Sequence, residues 1–130
     1  MLPLCVAEGI GVIPWSPLAR GKLARPWSAQ AATLRDQTDP VSVGLYKRTE
    51  QLDKPVIEYL TEVAAAKGIP QAQVALAWML HKPFITSAIV GTTKVEQLDD
   101  ALAAVDVKLA PEEIASLEQP YRPHPWIAGA

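Results

Sequence analysis

The fold of this 130-residue chain is decided by one stretch, Ile85-Thr86-Ser87-Ala88-Ile89-Val90-Gly91. Its β-branched residues predict a short strand, and Gly91 predicts a turn where that strand ends. A second stretch of this kind lies near the N-terminus, where Val12 and Ile13 follow two glycines and are stopped by Pro14. Only a short strand fits there, because Pro14 has no backbone N–H to donate to a ladder.

Two helices are predicted between these strands. From Pro55 onward, the apolar residues between Val56 and Ala64 fall on one helical face, and Gly68 suits the position just after the last turn. Pro70 suits a helix start, and apolar positions then continue a second helix as far as residues 82–83. Residues 16–52 show no sustained period and predict a long loop, which in a compact domain is usually functional.

Two more helices are predicted after the second strand. Thr92 or Thr93 is expected to cap the first of them. The side chains that this helix is expected to bury are Leu98, Leu102 and Val105. The last helix is expected to start at Pro111 and to carry acidic residues in its first turn, where the helix dipole favours carboxylates.

This order of elements predicts an α/β fold with two parallel strands and flanking helices, because strands separated by helices must run parallel. Two strands do not make a domain, since each keeps an outer edge that needs a neighbour. We therefore expect the chain either to be a piece of something larger or to pair with another copy of itself.

Composition excludes several classes of protein. Apolar residues make up 49% of the chain and charged residues 20%, which is the balance of a globular rather than a disordered protein. The net charge of −2 gives no attraction to nucleic acid or to anionic membranes. The longest apolar run, residues 74–80, is far shorter than the roughly 20 residues that span a bilayer. With Cys5 as its one cysteine and no Cys/His cluster, the sequence predicts a cytoplasmic protein without a metal.

Polar chemistry follows both predicted strands. Trp15, Ser16 and Lys22 come after the first strand and offer a flat aromatic face, a hydroxyl and a cation. Residues 91–97 after the second strand combine a glycine turn, hydroxyls and a helix start, which suits an anion. Ligands of α/β proteins bind at this edge of the sheet. The alternatives are a core tryptophan with a solvated lysine, and an ordinary threonine-capped helix.

Three segments together resemble the aldo-keto reductase family. They are Gly11-Val12-Ile13-Pro14-Trp15-Ser16-Pro17-Leu18-Ala19-Arg20-Gly21, Ala72-Gln73-Val74-Ala75-Leu76-Ala77-Trp78 and Ile89-Val90-Gly91-Thr92-Thr93-Lys94-Val95-Glu96-Gln97-Leu98. They are similar to the family's seventh strand and following loop, the helix before its eighth strand, and that strand with its cofactor turn. The resemblance implies the C-terminal part of a (β/α)8 TIM barrel, an incomplete barrel here. It also implies metal-free, NADP(H)-dependent reduction of aldehydes and ketones.

The resemblance also implies roles for individual residues. Trp15 would stack on the nicotinamide ring. The positions implied along the pyrophosphate are Ser16, Leu18 and Lys22. Those implied around the adenosine and its 2′-phosphate are Gly91, Thr93, Lys94, Gln97 and Asp100, with Arg35 matching a loop arginine near the adenosine. Ala101 departs from the pattern, since many members carry asparagine there, so the resemblance does not imply that residue's adenine contact.

The family's aspartate, tyrosine, lysine and histidine tetrad has no counterpart here, and we expect no catalytic residue in this chain. The three tyrosines fall in the long loop, a helix and the tail, and residues 1–5 resemble the end of the family's sixth helix. Residues 1–130 are thus interpreted as one partial aldo-keto reductase domain. Its expected partners are a nicotinamide nucleotide, a small carbonyl compound once the missing half is supplied, and another copy of itself. The alternatives are a non-catalytic nucleotide-binding or self-associating half-barrel and a helical interaction domain without a ligand.

Overall fold

The computed structural model describes residues 1–32, 46 and 48–123 of the chain. The helices in these ranges are α1 (Leu2–Ala7), α2 (Glu50–Lys67), α3 (Gln71–Leu80), α4 (Val95–Ala103) and α5 (Pro111–Glu118). Two 3₁₀ segments, Ala19–Ala24 and Trp27–Ala32, lie between α1 and α2. The predicted loop therefore contains local helical turns in its described part.

The core lies between α2, α3 and α5. Its buried members are Leu60, Ala64, Val74, Ala75, Ala77, Leu109 and Leu117. The faces predicted for α2 and α3 are those that the structure buries, and Val74 has no exposed surface at all. Gly68 adopts φ +65° at the end of α2 and its N–H donates to Ala64 O and Ala65 O. This left-handed position confirms the predicted helix stop, because it is the conformation in which glycine is favoured.

Helix α2 begins earlier than the sequence pattern indicates. The pattern predicts a start at Pro55, whereas the helix starts at Glu50 and contains Pro55. The first turn gains Glu50 and Asp53, whose charges favour a helix N-terminus, and the Thr49 hydroxyl donates to Asp53 Oδ2 at 2.6 Å. Local polar contacts thus extend the helix by one turn, although the proline lacks an N–H.

Helix α5 starts at Pro111 as predicted and is held by charge. The N–H of Ala110 donates to Glu113 Oε2 at 2.7 Å, and Lys67 Nζ lies 2.9 Å from Glu113 Oε1. The Ala110 hydrogen bond first, and Lys67 second, hold the pKa of Glu113 below its ordinary value. At the other end of α5, Glu118 pairs with Lys82 and accepts from Trp78 Nε1 at 3.0 Å.

Helix α4 corrects two expectations. Neither Thr92 nor Thr93 caps it, since Lys94 is its N-cap and no side chain makes a capping bond. The three side chains expected to be buried are exposed instead, Leu98 at 43%, Leu102 at 61% and Val105 at 62%. With Val95 they form an exposed apolar stripe along α4 that continues, at Val105, just past the end of the helix, because α4 meets the rest of the described fold mainly through α3.

The two predicted strands lie side by side and parallel, but as isolated bridges. Val12 pairs with Ile85 and Trp15 pairs with Ile89, and the described residues contain no longer strand. Between the two bridges, the first segment advances three residues (12 to 15) and the second advances four (85 to 89). One extra residue therefore interrupts the ladder, as in a β-bulge, and Pro14 has no N–H to extend it.

Candidate functional site

The bridge between Trp15 and Ile89 brings the two polar turns together. The N–H of Ile89 donates to Pro14 O at 3.0 Å, next to Trp15 in the chain. Thr86 fixes the other end, since its N–H donates to Val12 O at 2.9 Å and its hydroxyl accepts from Val12 N–H at 3.1 Å. The loop that begins at Ser16 and the turn at Gly91 therefore leave the paired segments at the same edge, here called the rim.

Trp15 is not a core residue. It is 65% exposed, so its indole face is available at the rim. The alternative reading of Trp15 as a core tryptophan is therefore wrong. An exposed tryptophan beside a glycine turn is suited to stacking on a planar ring.

The loop after Trp15 has an unusual backbone. Ser16, Ala19 and Arg20 adopt positive φ angles of 53°, 47° and 57°. Residues with a Cβ adopt these angles only at a cost, and such strain clusters at functional sites. Ser16 O accepts from Ala19 N–H at 2.9 Å, so the strained residues form one tight turn.

Leu18 and Lys22 lie on this loop in different settings. The Leu18 side chain packs against the core, and its carbonyl accepts from the N–H groups of Gly21 and Leu23. The Leu18 side chain therefore contacts the core rather than the rim. The backbone carbonyl of Lys22 accepts from Gln30 Nε2 at 2.8 Å, which fixes the main chain from which its ammonium group extends.

The second turn is open. Residues 91–94 are all exposed, and a Cβ added at Gly91 would meet nothing within 4 Å. The N–H of Thr93 donates to Gln97 Oε1 at 3.1 Å, so these two predicted site residues do lie together. Lys94, at the N-terminus of α4, adds a positive charge to the partial positive charge of the helix end.

Asp100 makes a contact within the fold. Its Oδ1 accepts from Gln73 Nε2 at 2.9 Å, which ties α4 to α3. The structure thus gives Asp100 a helix–helix contact one turn beyond Gln97. Arg35 lies outside the described residues.

None of the three tyrosines is suited to act as a general acid, the proton donor that carbonyl reduction needs. Tyr46 precedes α2 in the chain, and desolvation raises the pKa of its phenol, with the charge of Arg20 opposing and that of Asp53 adding to the shift. A phenol with a raised pKa is a weaker proton donor near neutral pH. Tyr59 lies within α2 and Tyr121 follows α5, and both are exposed.

In residues 1–32, 46 and 48–123, no three His, Cys, Asp or Glu side chains are grouped as metal ligands would be. None of the helices in that part of the chain combines the length and the apolar character needed to cross a membrane.

Sequence reasoning missed two buried glutamines. Gln30 and Gln71 are 8% and 7% exposed, and both donate to the carbonyl of Arg25 at 3.0 Å. Gln71 immediately follows Pro70 and begins α3. The sequence predicts the helix, but nothing in the sequence indicates that this side chain contacts Arg25. The one available signal is that Gln71 is a polar residue on an otherwise apolar helix face.

Comparisons with known proteins agree on one family. The model of the aldo/keto reductase family matches residues 1–122. Versiconal hemiacetal acetate reductase of Aspergillus parasiticus is 48% identical over 124 residues, covering 95% of this chain and 36% of that protein. Aldo-keto reductase AMT2 of Alternaria alternata is 36% identical over 126 residues, covering 96% of this chain and 33% of that protein.

A solved structure is similar as well. The crystal structure of a thermostable aldo-keto reductase in complex with the inhibitor epalrestat matches with a TM-score of 0.59 and 25% identity. The match covers 92% of this chain and 32% of that one. The chain therefore spans about a third of the length of the relatives that it matches.

Proposed function

Because the chain belongs to the aldo/keto reductase family, we propose that its rim holds NADP(H) in a reductase of aldehydes or ketones. In this proposal residues 1–130 are the C-terminal, cofactor-binding part of that enzyme, in the cytoplasm. When bound there, the nucleotide would supply the hydride that reduces the carbonyl carbon. The chain's own residues bind and orient the nucleotide, and they do not take part in proton transfer.

The single observation that carries the proposal is the Trp15–Ile89 bridge. It joins an exposed indole to a turn in which Gly91 leaves open space. A nicotinamide ring fits the first and a phosphate fits the second, since a glycine without a contact on its Cβ side allows close approach. The residues present therefore fit a dinucleotide along the rim.

Charge supports a preference for NADPH over NADH. Lys94 is exposed at the start of α4, beside the paired Thr93 and Gln97, where a 2′-phosphate would meet both an ammonium group and a helix N-terminus. We propose Gly91 and Asp100 as further members of this adenosine end, with Arg35. Ser16, Leu18 and Lys22 are proposed along the pyrophosphate.

We expect no turnover by the chain alone. General acid catalysis needs a proton donor within hydrogen-bonding reach of the carbonyl oxygen. The sequence offers no counterpart of the family's tetrad, and burial makes the Tyr46 phenol a weaker acid. NADPH oxidation with an aldehyde should therefore stay at the level of a blank. Turnover that is abolished by mutating one of these 130 residues would contradict this.

Calorimetric titration with NADPH and NADH tests the cofactor assignment. We expect NADPH to bind about tenfold more tightly than NADH, the size of one charge-assisted hydrogen bond. Lys94→Ala should remove most of this difference, and Trp15→Ala should weaken both nucleotides. Lys108→Ala is the control, because it removes an exposed cation outside the rim. Equal affinity for the two nucleotides, unchanged in Lys94→Ala, would overturn the assignment.

One observation favours a second candidate, a self-associating half-barrel that binds nucleotide without turnover. The apolar stripe along α4 is exposed, which is typical of a surface that packs against another one. Adding a polypeptide that carries the family's tetrad separates the two candidates. Restored carbonyl reduction supports the reductase, whereas nucleotide binding without any turnover supports the half-barrel.

A further inference from the structure

We propose that Gln30 and Gln71 are positioning residues that hold the loop from Ser16 to Arg25 in the shape that receives the nicotinamide and pyrophosphate. This inference rests on the proposed function, because it concerns the same nucleotide. It assigns a role to two side chains that do not themselves reach the rim.

Both side chains converge on one stretch of backbone. Gln30 Nε2 donates to Lys22 O at 2.8 Å and to Arg25 O at 3.0 Å. Gln71 Nε2 donates to the same Arg25 carbonyl at 3.0 Å. A carbonyl oxygen has two lone pairs, so it accepts both bonds. The end of the loop is therefore fixed by one side chain from the second 3₁₀ segment and one from α3.

The Gln71 side chain is itself anchored. The Thr61 hydroxyl lies 3.0 Å from Gln71 Oε1 and 2.8 Å from the carbonyl oxygen of Ile57, so the contact extends into α2. Ile57 is fully buried, and α3 continues from Gln71 to the fully buried Val74. Through these contacts the loop is joined to the most deeply buried part of the described fold.

The two glutamine amides are buried, and the hydrogen bonds that they donate to the loop backbone explain why. A buried amide is unfavourable unless it is hydrogen-bonded, and apolar side chains of similar size would pack in its place without that cost. Within the described residues, Gln30 Oε1 is buried and has no hydrogen-bond partner. The donor groups of Gln30, rather than its acceptor, thus account for its presence.

The loop needs such support. Its positive φ angles at Ser16, Ala19 and Arg20 are unfavourable for residues with a Cβ, and they persist only where the surroundings impose them. Packing of Leu18 and Leu23 holds the middle of the loop. The two glutamines hold its end, and without them the strained turn after Trp15 is free to relax.

Limited proteolysis by trypsin tests the loop. The bonds after Arg20 and Lys22 lie in it and should be cut slowly in the wild-type chain. Gln30→Leu and Gln71→Leu should each speed this cleavage about fivefold, the factor expected for one net hydrogen bond, and the double variant should exceed either. Gln73→Leu is the matched control, because this glutamine on the same helix bonds Asp100 and not the loop. Cleavage at the same rate in all variants would overturn the proposal.

Nucleotide fragments test the consequence at the rim. The double variant should bind NADPH several-fold more weakly and adenosine 2′,5′-bisphosphate as tightly as the wild type, because that fragment lacks the nicotinamide half. Unchanged NADPH affinity in a variant with a faster-cleaved loop would overturn the positioning role. If the wild-type chain binds neither compound, the proposed function fails and this inference fails with it.

Gln30→Leu on its own guards against a folding defect. Gln30 lies outside the helical core, and hydrogen exchange at the amides of Gly21 and Leu23 reports on the loop directly. Faster exchange at these amides, with unchanged exchange in α3, supports the proposal. Equal exchange in the variant and the wild type contradicts it.

Discussion

At the scale of single residues, Gly91 is informative because the protein does not itself require a glycine there. Its φ lies outside the left-handed region, and a Cβ would meet nothing within 4 Å. Gly68 differs, since its φ of +65° is a conformation that side chains rarely adopt. The backbone requires glycine at position 68, whereas at Gly91 the proposed function supplies the reason, which is room for the nucleotide.

Exchange of these two glycines for alanine should give opposite results. Gly91→Ala should change the free energy of unfolding by less than about 0.5 kcal/mol, as for an unstrained surface site, and should weaken NADPH binding. Gly68→Ala should cost about 1 kcal/mol of stability and leave binding unaltered. Urea unfolding and nucleotide titration measure the two effects. A Gly91→Ala chain that binds NADPH like the wild type would remove the turn from the site.

At the scale of single residues, the sequence predicts exposed polar and aromatic side chains better than it predicts which buried side chains are in contact. The exposure of Trp15 and the pairing of Thr93 with Gln97 agree with the rim expected from the residues. The core position of Leu18 was not predicted, because its spacing from Leu23 has no helical or strand period. Gln71 could not be assigned either, since its partner lies 46 residues away.

At the scale of elements, the apolar period predicts helices well and their partners poorly. It identifies the buried faces of α2 and α3 because these two helices pack against each other and against α5 within this chain. The same spacing along α4 predicts a buried face that the structure leaves exposed. Periodicity shows that a helix needs an apolar partner but does not show where that partner is. It also cannot show the one-residue offset that interrupts the ladder.

Replacing Pro55 should stabilise α2. A proline inside a helix removes one hydrogen bond and crowds the preceding turn, so Pro55→Ala should raise the free energy of unfolding by about 1–3 kcal/mol. Pro111→Ala is the control, because a proline in the first turn of α5 loses no helical bond and should give little change. The midpoints of urea unfolding give both values. A Pro55→Ala midpoint at or below that of the wild type would contradict the argument.

The attachment of α5 to α3 should weaken in acid. The hydrogen bond from Lys82, and then that from Trp78, lower the pKa of Glu118 below its ordinary 4.5. A lowered pKa stabilises the fold above about pH 4.5, and this contribution is lost as the pH falls through the folded-state pKa. Because Glu118 is 44% exposed, the effect should be about 0.5 kcal/mol or less.

Thermal melts between pH 3 and 7 measure this contribution. Glu118→Gln should melt lower than the wild type at pH 7 and converge with it in acid. Glu62→Gln, an exposed glutamate of α2, is the control and should follow the wild-type curve. A constant gap between Glu118→Gln and the wild type at every pH would contradict the pairing as its cause.

At the scale of the whole molecule, one side is packed and the other is not. The core joins three helices, while Ile13, Ile89 and the apolar stripe along α4 are exposed. At roughly 25 cal/mol per Å² of apolar surface, several such side chains leave several kcal/mol of burial unrealised. That is comparable with the roughly 5–15 kcal/mol stability of an ordinary domain.

The purified chain should therefore be oligomeric, aggregated or partly folded. Light scattering gives the mass in solution, and hydrogen exchange shows whether residues 12–13 and 85–90 are protected. Replacing Leu102 and Val105 by lysine should reduce the association, since both side chains belong to the exposed stripe. A monodisperse 14.0 kDa species with a cooperative melt and protected amides in both segments would contradict this expectation.

The extra residue between the two bridges also bears on which insertions and deletions the chain can accept. Deleting Ser87 would equalise the two spacings at three residues, so the two pairs would share one regular register, although Pro14 still donates no bond between them, and the melting temperature should rise. Relative to Ile85, the residues that lead into the turn at Gly91 would then shift by one position. Such a shift moves their side chains to the opposite face. NADPH binding should fall in the same variant, as a melt and a titration together would show. If this deletion improves strand pairing and weakens NADPH binding, the irregular ladder determines which face of the turn meets the nucleotide.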